Sequence, residues 1–231
     1  MRAGVMAFAG ARPAAAAEPI RPEARTAPPN EGWNPQEFAR EQIRGLVRQL
    51  FGRTQARPVR QVVFSAVDPQ TDAGEICRSV GEMLALETTM DVAVAGAGLE
   101  RTTAGELLVC STEMRSPLRE AGTQVRRNLW FLPLEVSGSE GSAASLHGYM
   151  GAVRKEFEYS IVAAPASAIS NLAITLAQFA DGIVLVLSAQ RTRRVQARNI
   201  KATLEEAPAR LLGTVLSDRE FPIPERIYRR L

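Results

Sequence analysis

From Gln61 onward the chain alternates between short runs that are almost wholly apolar and longer stretches whose apolar residues recur every three or four positions. The runs predict strands at Val62–Ala66, Asp91–Ala95, Leu129–Leu134, Tyr159–Ala163, Gly182–Leu187 and Leu211–Leu216. The periodic stretches predict helices at Gly74–Leu86, Ala143–Phe157, Ile169–Phe179 and Thr192–Glu206, with a shorter one near Ala104–Cys110. Strands that are apolar at successive positions, such as Gly182-Ile-Val-Leu-Val-Leu-Ser188, are buried on both faces. Alternating with helices, they make an α/β fold: a doubly wound, mostly parallel sheet flanked by helices.

The chain ahead of the first strand reads differently. Met1 to about Asn34 is rich in Ala, Pro and Arg, with Ala14–Ala17 and Pro28-Pro29, and is expected to be a flexible tail. Its apolar stretch Val5–Ala9 is broken by Arg12-Pro13, so it reads as a disordered N-terminus rather than a signal peptide. Asn34 can cap a helix that has Pro35 at its first position. Phe38, Ile43, Leu46, Val47 and Leu50 carry that helix to about Phe51, and Gly52–Arg60 is a basic linker. The expected organisation is a tail over 1–34, a helix and linker over 35–60, and one α/β domain over 61–231. No apolar run approaches about 18 residues, so no transmembrane helix is expected.

Composition narrows the chemistry. The formal charge of +3 is mild and weakly favours an anionic partner; a solvated surface is the plainer account. The 28 basic residues include two lysines, Lys155 and Lys201, so 26 are arginines. Cys77 and Cys110 are isolated and His147 is the single histidine, which excludes Cys/His zinc clusters and argues against Cys–His catalysis. A reducing cytoplasm fits. His147 itself reads as a surface or half-buried helix residue.

The loop between the first strand and its helix is Val67-Asp-Pro-Gln-Thr-Asp-Ala-Gly-Glu75. Its position is that of a phosphate-cradling loop. Such a loop needs glycines for close backbone approach, a lysine for the β/γ-phosphates and a Ser or Thr for Mg²⁺. This one has a single glycine, no lysine, and two aspartates that repel phosphate. Neither lysine of the chain lies in a glycine-rich loop, and arginine's planar fork is no substitute for a compact ammonium. Gly96-Ala97-Gly98 after the second strand invites a dinucleotide-binding reading, but Arg101 stands where that fingerprint needs a small residue. A permissive turn is the simpler account.

The second half carries a resemblance. Phe157-Glu-Tyr-Ser-Ile-Val-Ala-Ala-Pro165 is followed by Ala180-Asp-Gly-Ile-Val-Leu-Val-Leu-Ser188, Gln190-Arg-Thr-Arg-Arg194, Leu212-Gly-Thr-Val-Leu-Ser217 and Phe221-Pro-Ile-Pro-Glu-Arg-Ile-Tyr-Arg-Arg-Leu231. Over roughly Pro35–Leu231 the chain resembles the bacterial tyrosine kinases of capsular and exopolysaccharide biosynthesis, within the deviant P-loop ATPases that include cell-division and partition ATPases. The resemblance implies a P-loop NTPase-like domain.

The family's functional positions, matched one at a time, are occupied by other chemistry. The family's phosphate loop ends in Gly-Lys-Ser/Thr; Asp72, Ala73 and Gly74 stand there. Its second strand ends in Asp-x-Asp; here Gly96 and Gly98 frame Ala97. Its fourth-strand motif supplies a metal-directed Asp before Thr-Pro-Pro; Ala163-Ala164-Pro165 stands in that place. Its Val-Leu-Asn supplies an Asn beside the adenine base; Ser217 follows Val215-Leu216. Where the family's tail is rich in tyrosine, Phe221–Leu231 carries one, Tyr228, so the tyrosine cluster is expected to be missing. Losing the lysine and the metal ligands together removes more than ~4 kcal/mol of nucleotide binding, about a thousandfold. The strand frames and turn prolines persist, so the resemblance implies a pseudoenzyme. No catalytic residue, metal or cofactor is expected; ATP and Mg²⁺ enter only if the chain is an active autokinase.

Two surfaces are candidates for interaction. Glu41-Gln-Ile-Arg44, followed by Arg48, is similar to the family's Glu-x-x-Arg-x-x-Arg helix of subunit association, with Val47 at its third position; a local ion pair is the plainer reading. Arg191, Arg193, Arg194 and Arg198 open the helix after the Ala-Asp-Gly strand, at an edge where ligands of such sheets bind; an anionic group or a partner's acidic tail would fit there, and a solvated helix start is the plainer reading. The Phe221–Tyr228 segment reads as an extended stretch and short helix that packs on the body. The leading expectation is a non-catalytic scaffold or regulator of polysaccharide biosynthesis and export. It is expected in the cytoplasm, peripheral to the inner membrane, docked to a membrane co-polymerase or an active kinase, with self-association open. The alternatives are an ATP-dependent tyrosine autokinase and a partition-type surface-organising protein. Nucleic acid is not an expected partner.

Overall fold

A computed structural model describes residues 35–52, 58–97, 118–134 and 143–218. The tail before Pro35, Gly98 and Arg101, the helix expected near Ala104–Cys110 and the Phe221–Leu231 segment lie outside these residues. In chain order the elements are α1 Pro35–Phe51, β1 Gln61–Ala66, α2 Ala73–Glu87, β2 Val92–Ala95, α3 Leu118–Ala121, β3 Thr123–Arg126, β4 Leu129–Leu132, α4 Ala143–Glu156, β5 Tyr159–Ala164, α5 Leu172–Phe179, β6 Gly182–Ser188, α6 Arg194–Glu206 and β7 Leu211–Ser217.

The strands form one sheet in the order β3-β4-β2-β5-β1-β6-β7. Every pairing is parallel except β3 with β4, which is antiparallel. The doubly wound, mostly parallel sheet read from the apolar runs is therefore the fold. Side chains alternate between two cores. Val62, Phe64 and Ala66 of β1 join Val47 and Leu50 of α1 and Cys77, Val80 and Leu84 of α2 on one face. Val63 joins Leu146 and Met150 of α4, Leu176 of α5 and Leu204 of α6 on the other. Because both faces are covered, β1 is buried at every position, which its near-continuous apolar run requires. α1 belongs to the same compact unit as the sheet.

Three expectations are corrected. β3 and the short α3 were not legible. All four residues of β3 are exposed, so no burial pattern marks it; it is a strand because it pairs with β4 in a hairpin. α5 begins at Leu172 rather than Ile169. A turn intervenes, with Ile169 and Ser170 donating to the Ala166 carbonyl and Ser170 Oγ accepting from Leu172 N. α6 begins at Arg194 rather than Thr192, because the Thr192 side chain is committed elsewhere.

The Ala180-Asp181-Gly182 motif has a structural job at the amino edge of the sheet. Asp181 Oδ2 accepts from the backbone N–H of Arg60 (2.8 Å) and Gln61 (2.9 Å), and Oδ1 accepts from Arg154 Nη2 (2.6 Å). One carboxylate thus ties the start of β1 to β6 and α4. Burial alone would raise its pKa; the donors from Arg60, Arg154 and Gln61 outweigh that and hold it below the usual carboxylate value. Gly182 is needed beside it, since a Cβ there would lie 2.5 Å from the Arg210 carbonyl oxygen.

Candidate functional site

In an open parallel sheet, ligands bind where the strands end at their carboxyl side and neighbouring crossovers diverge. Here β1 lies between β5 and β6, and the chain leaves β1 toward β2 but leaves β5 toward β6. The loops after β1, β5 and β6 therefore converge. Val67 N donates to the Val186 carbonyl of β6, and Ser167 N and Ala168 N donate to the Ala66 and Val67 carbonyls. Ser65 Oγ lies 2.7 Å from both the Pro165 carbonyl oxygen and Ser167 Oγ, fixing the β5–α5 loop against β1.

The loop after β1 satisfies itself. Asp68 is buried, and its carboxylate accepts from Thr192 Oγ1 (2.6 Å) and Thr71 Oγ1 (2.8 Å). Thr192 Oγ1 in turn accepts from Ser188 N at 2.8 Å, so the β1–α2 loop is bonded across to the β6–α6 turn. Burial would raise the Asp68 pKa; the two hydroxyls and the backbone N–H groups of Gln70 and Thr71 outweigh it and hold the carboxyl below its ordinary value. Arg191 Nη1 adds a long contact of 3.4 Å to the Gln70 carbonyl.

Asp72 is the N-cap of α2. Its Oδ1 accepts from Gly74 N at 2.8 Å and Glu75 N at 3.3 Å. These first-turn N–H groups, with the positive end of the helix dipole, are what a phosphate binds in a cradle of this kind. Here the chain's own carboxylate takes them. Arg78 reaches 3.9 Å from Asp72 Oδ2 and donates through Nη1 to the Ala97 carbonyl. An incoming phosphate would have to displace a bonded carboxylate of the same charge.

In the sequence Asp72 reads as one of two aspartates that repel phosphate in a loop without lysine. The D-x-x-E spacing of Asp72 and Glu75 is also the signature of a helix start, and it could have identified the cap. The Asp68–Thr192 bond joins residues 124 positions apart, and no local pattern announces it.

The other matched positions surround this loop. Ala73, first residue of α2, is buried. Gly74 lies close to the end of β2, where an added Cβ would be 3.5 Å from the Ala97 backbone. Gly96 has φ of +76°, and a Cβ there would come within 2.5 Å of the Ala163 carbonyl oxygen, so glycine is demanded by the turn itself. Ala163 is buried beside β1 and presents only a methyl group. Ser217 Oγ donates to the Leu187 carbonyl at 3.3 Å. Among the described residues no group of His, Cys, Asp and Glu is placed to hold a metal ion. Two grooves, of about 370 and 240 Å³, run beside α1 and do not reach the β1–α2 loop.

The interaction candidates divide. Arg44 pairs with Glu41 (2.6 Å) and with Glu87 of α2 (3.2 Å), and Arg48 reaches Glu87 at 3.8 Å. The local ion pair expected on α1 forms, and Glu87 extends it to the neighbouring helix. Arg191, Arg193, Arg194 and Arg198 are all exposed around the start of α6. His147 is exposed on α4 with its ring 5.0 Å from that of Phe179.

Seven strands in this order, with helices on both faces and a strand–loop–helix at β1, define a P-loop ATPase-like α/β fold. The kinase domain of the Escherichia coli tyrosine kinase ETK matches with a TM-score of 0.65 at 12% identity, over 88% of this chain and 85% of that one. The chimerical protein CapA2B2 matches with a TM-score of 0.63 at 16% identity, over 76% and 83% of the two chains. The VpsO kinase domain matches with a TM-score of 0.60 at 14% identity, over 80% of this chain and 98% of that one. At these identities the likeness is one of fold. No protein-family model and no curated protein sequence matches the chain.

Proposed function

We propose that the chain is a pseudokinase-like member of the bacterial tyrosine kinase family of capsular and exopolysaccharide biosynthesis, and acts as a non-catalytic scaffold or regulator of that pathway. It docks to a membrane chain-length co-polymerase or to an active kinase, and so sits peripherally at the cytoplasmic face of the inner membrane. Among the described residues no helix is long and apolar enough to cross a membrane.

The observation that carries this reading is the capped start of α2. The Gly74 and Glu75 N–H groups are taken by the Asp72 carboxylate, and the loop before them is bonded shut through Asp68 and Thr192. With no lysine to offset their charge, these carboxylates leave no cradle for a triphosphate. Tyr149 is also poorly placed for the tyrosine chemistry of the autokinase alternative. Its hydroxyl donates to the Pro133 carbonyl at 3.1 Å, and burial pushes its pKa up.

Calorimetric titration with Mg-ATP is expected to show no binding in the micromolar range. Incubation with radiolabelled ATP is expected to leave Tyr149, Tyr159 and Tyr228 unlabelled. Micromolar binding with turnover would sink the scaffold reading and establish an autokinase.

A further inference from the structure

The β6–α6 turn gathers a cationic surface that no carboxylate of the described chain neutralises. Arg191, Arg193, Arg194 and Arg198 are exposed, and none has an acidic partner within ion-pair distance among the described residues. By contrast Arg44, Arg60, Arg78, Arg119 and Arg154 each face a carboxylate. From Ser188 to Leu204 the sequence contains no acidic residue. Farther along α6, Lys201 meets Glu205 at 3.3 Å, which marks where the helix becomes self-neutralising.

The surface is held in place. Thr192, between Arg191 and Arg193, is bonded to Asp68 and to Ser188 N. Arg191 makes its long contact, 3.4 Å, to the Gln70 carbonyl. Arg194 and Arg198 are four apart on α6 and share one of its faces. Val195, 66% exposed, places an apolar side chain beside them. Asp68, the acid bonded to this turn, is buried and committed to its two hydroxyls, and Asp218, exposed beyond β7, has no ion-pair partner among the described residues.

We propose that this edge is a docking surface for a carboxylate-rich peptide segment of a partner protein. Guanidinium forks pair with carboxylates through two parallel hydrogen bonds, and a cluster of them is a recurring way of reading acidic segments. The surface rests on the scaffold reading in one respect, that no nucleotide occupies this edge of the sheet. Single-stranded nucleic acid is recognised through aromatic stacking and duplex through a longer basic stripe. The described residues place no exposed aromatic here, and the cations span little more than one helical turn beyond the loop.

The test uses the whole chain, a fluorescently labelled peptide of alternating Asp and Glu, and its Asn/Gln counterpart, followed by fluorescence anisotropy. The acidic peptide is expected to bind, the amide peptide not, and affinity to fall as salt rises. Arg193→Gln/Arg194→Gln/Arg198→Gln is expected to weaken binding by more than about tenfold. Arg126→Gln/Arg127→Gln, at exposed positions of the β3–β4 hairpin, is expected to change it by less than about twofold. Since all these positions are exposed, urea midpoints of both variants should match the parent. Binding that survives in the triple variant overturns the proposal. So does a DNA duplex that binds more tightly than the peptide through the same arginines, which would make this a nucleic-acid surface. Repetition with saturating Mg-ATP separates the two readings. Micromolar Mg-ATP binding that persists in the triple variant overturns the scaffold reading and leaves the docking surface standing, whereas a peptide that never binds, with ATP equally inert, removes the docking surface alone.

Discussion

Replacing Asp72 by alanine removes the acceptor for two N–H groups at once, those of Gly74 at 2.8 Å and Glu75 at 3.3 Å. Loss of an N-cap of this type costs about 0.5–2 kcal/mol. The charge adds about 0.3–1 kcal/mol through the helix dipole, toward the lower figure at an exposed site. The Asp72 side chain is 65% exposed, and its partner Arg78 stands at 3.9 Å, so neither burial nor ion pairing raises the total. The sum is about 1–2 kcal/mol, or a fall in Tm of about 2–8 °C for a domain of this size. Asp72→Asn keeps an acceptor and drops the charge, and should lose less than about 1 kcal/mol. Urea unfolding near neutral pH measures both, read as a shift in midpoint at constant m. Asp72→Ala within about 0.3 kcal/mol of the parent would refute the cap. The same variants test the blocked cradle. Freeing the N–H groups without supplying a lysine should not create Mg-ATP binding, and micromolar binding by Asp72→Ala would mean that the cap alone had excluded nucleotide.

Asp181→Ala should destabilise by about 2–4 kcal/mol in the same assay, because it leaves the buried Gln61 N–H and that of Arg60 without acceptors and strips Arg154 of its partner. Asp68 and Asp181 are both held below the ordinary carboxylate value when folded. Their stabilisation is therefore complete above the unfolded value of about 3.9 and drains away as pH falls through the folded values. Urea midpoints should be flat from about pH 7 to 5 and fall below about pH 4, less steeply in Asp68→Asn/Asp181→Asn; an unchanged slope would refute this assignment. Gly96→Ala forces a side chain into a left-handed turn against the Ala163 carbonyl and should cost about 2–4 kcal/mol, with Tm as the readout. In a Cys110→Ser background Cys77, fully buried and with its thiol pushed up by burial, should react with a maleimide only on unfolding.

Much of the fold was legible because burial on both faces leaves a mark in the sequence. β1, β2, β5 and β6 are apolar runs, and each lies in the interior of the sheet. β3 left no such mark, since it is an exposed edge strand whose existence depends on β4. The start of α6 differs where Thr192 is bonded to the distant Asp68, and that of α5 where a local turn on the Ala166 carbonyl precedes it. The Ala180-Asp181-Gly182 motif, noticed for its resemblance, is a fold determinant at the amino edge of the sheet, opposite the candidate site.

The sequence by itself determined the layering of the sheet and the residue types in the β1–α2 loop: no lysine and two aspartates. Those facts follow from composition and from the periods of strand and helix, which are local. Tertiary structure decided what the aspartates do. One caps α2 and the other closes the loop onto a turn 124 residues away, because the strand order brings the ends of β1 and β6 side by side. It also decided that four arginines near the start of α6 meet no acid among the described residues, since pairing across loops is a matter of distance in space and not of spacing along the chain.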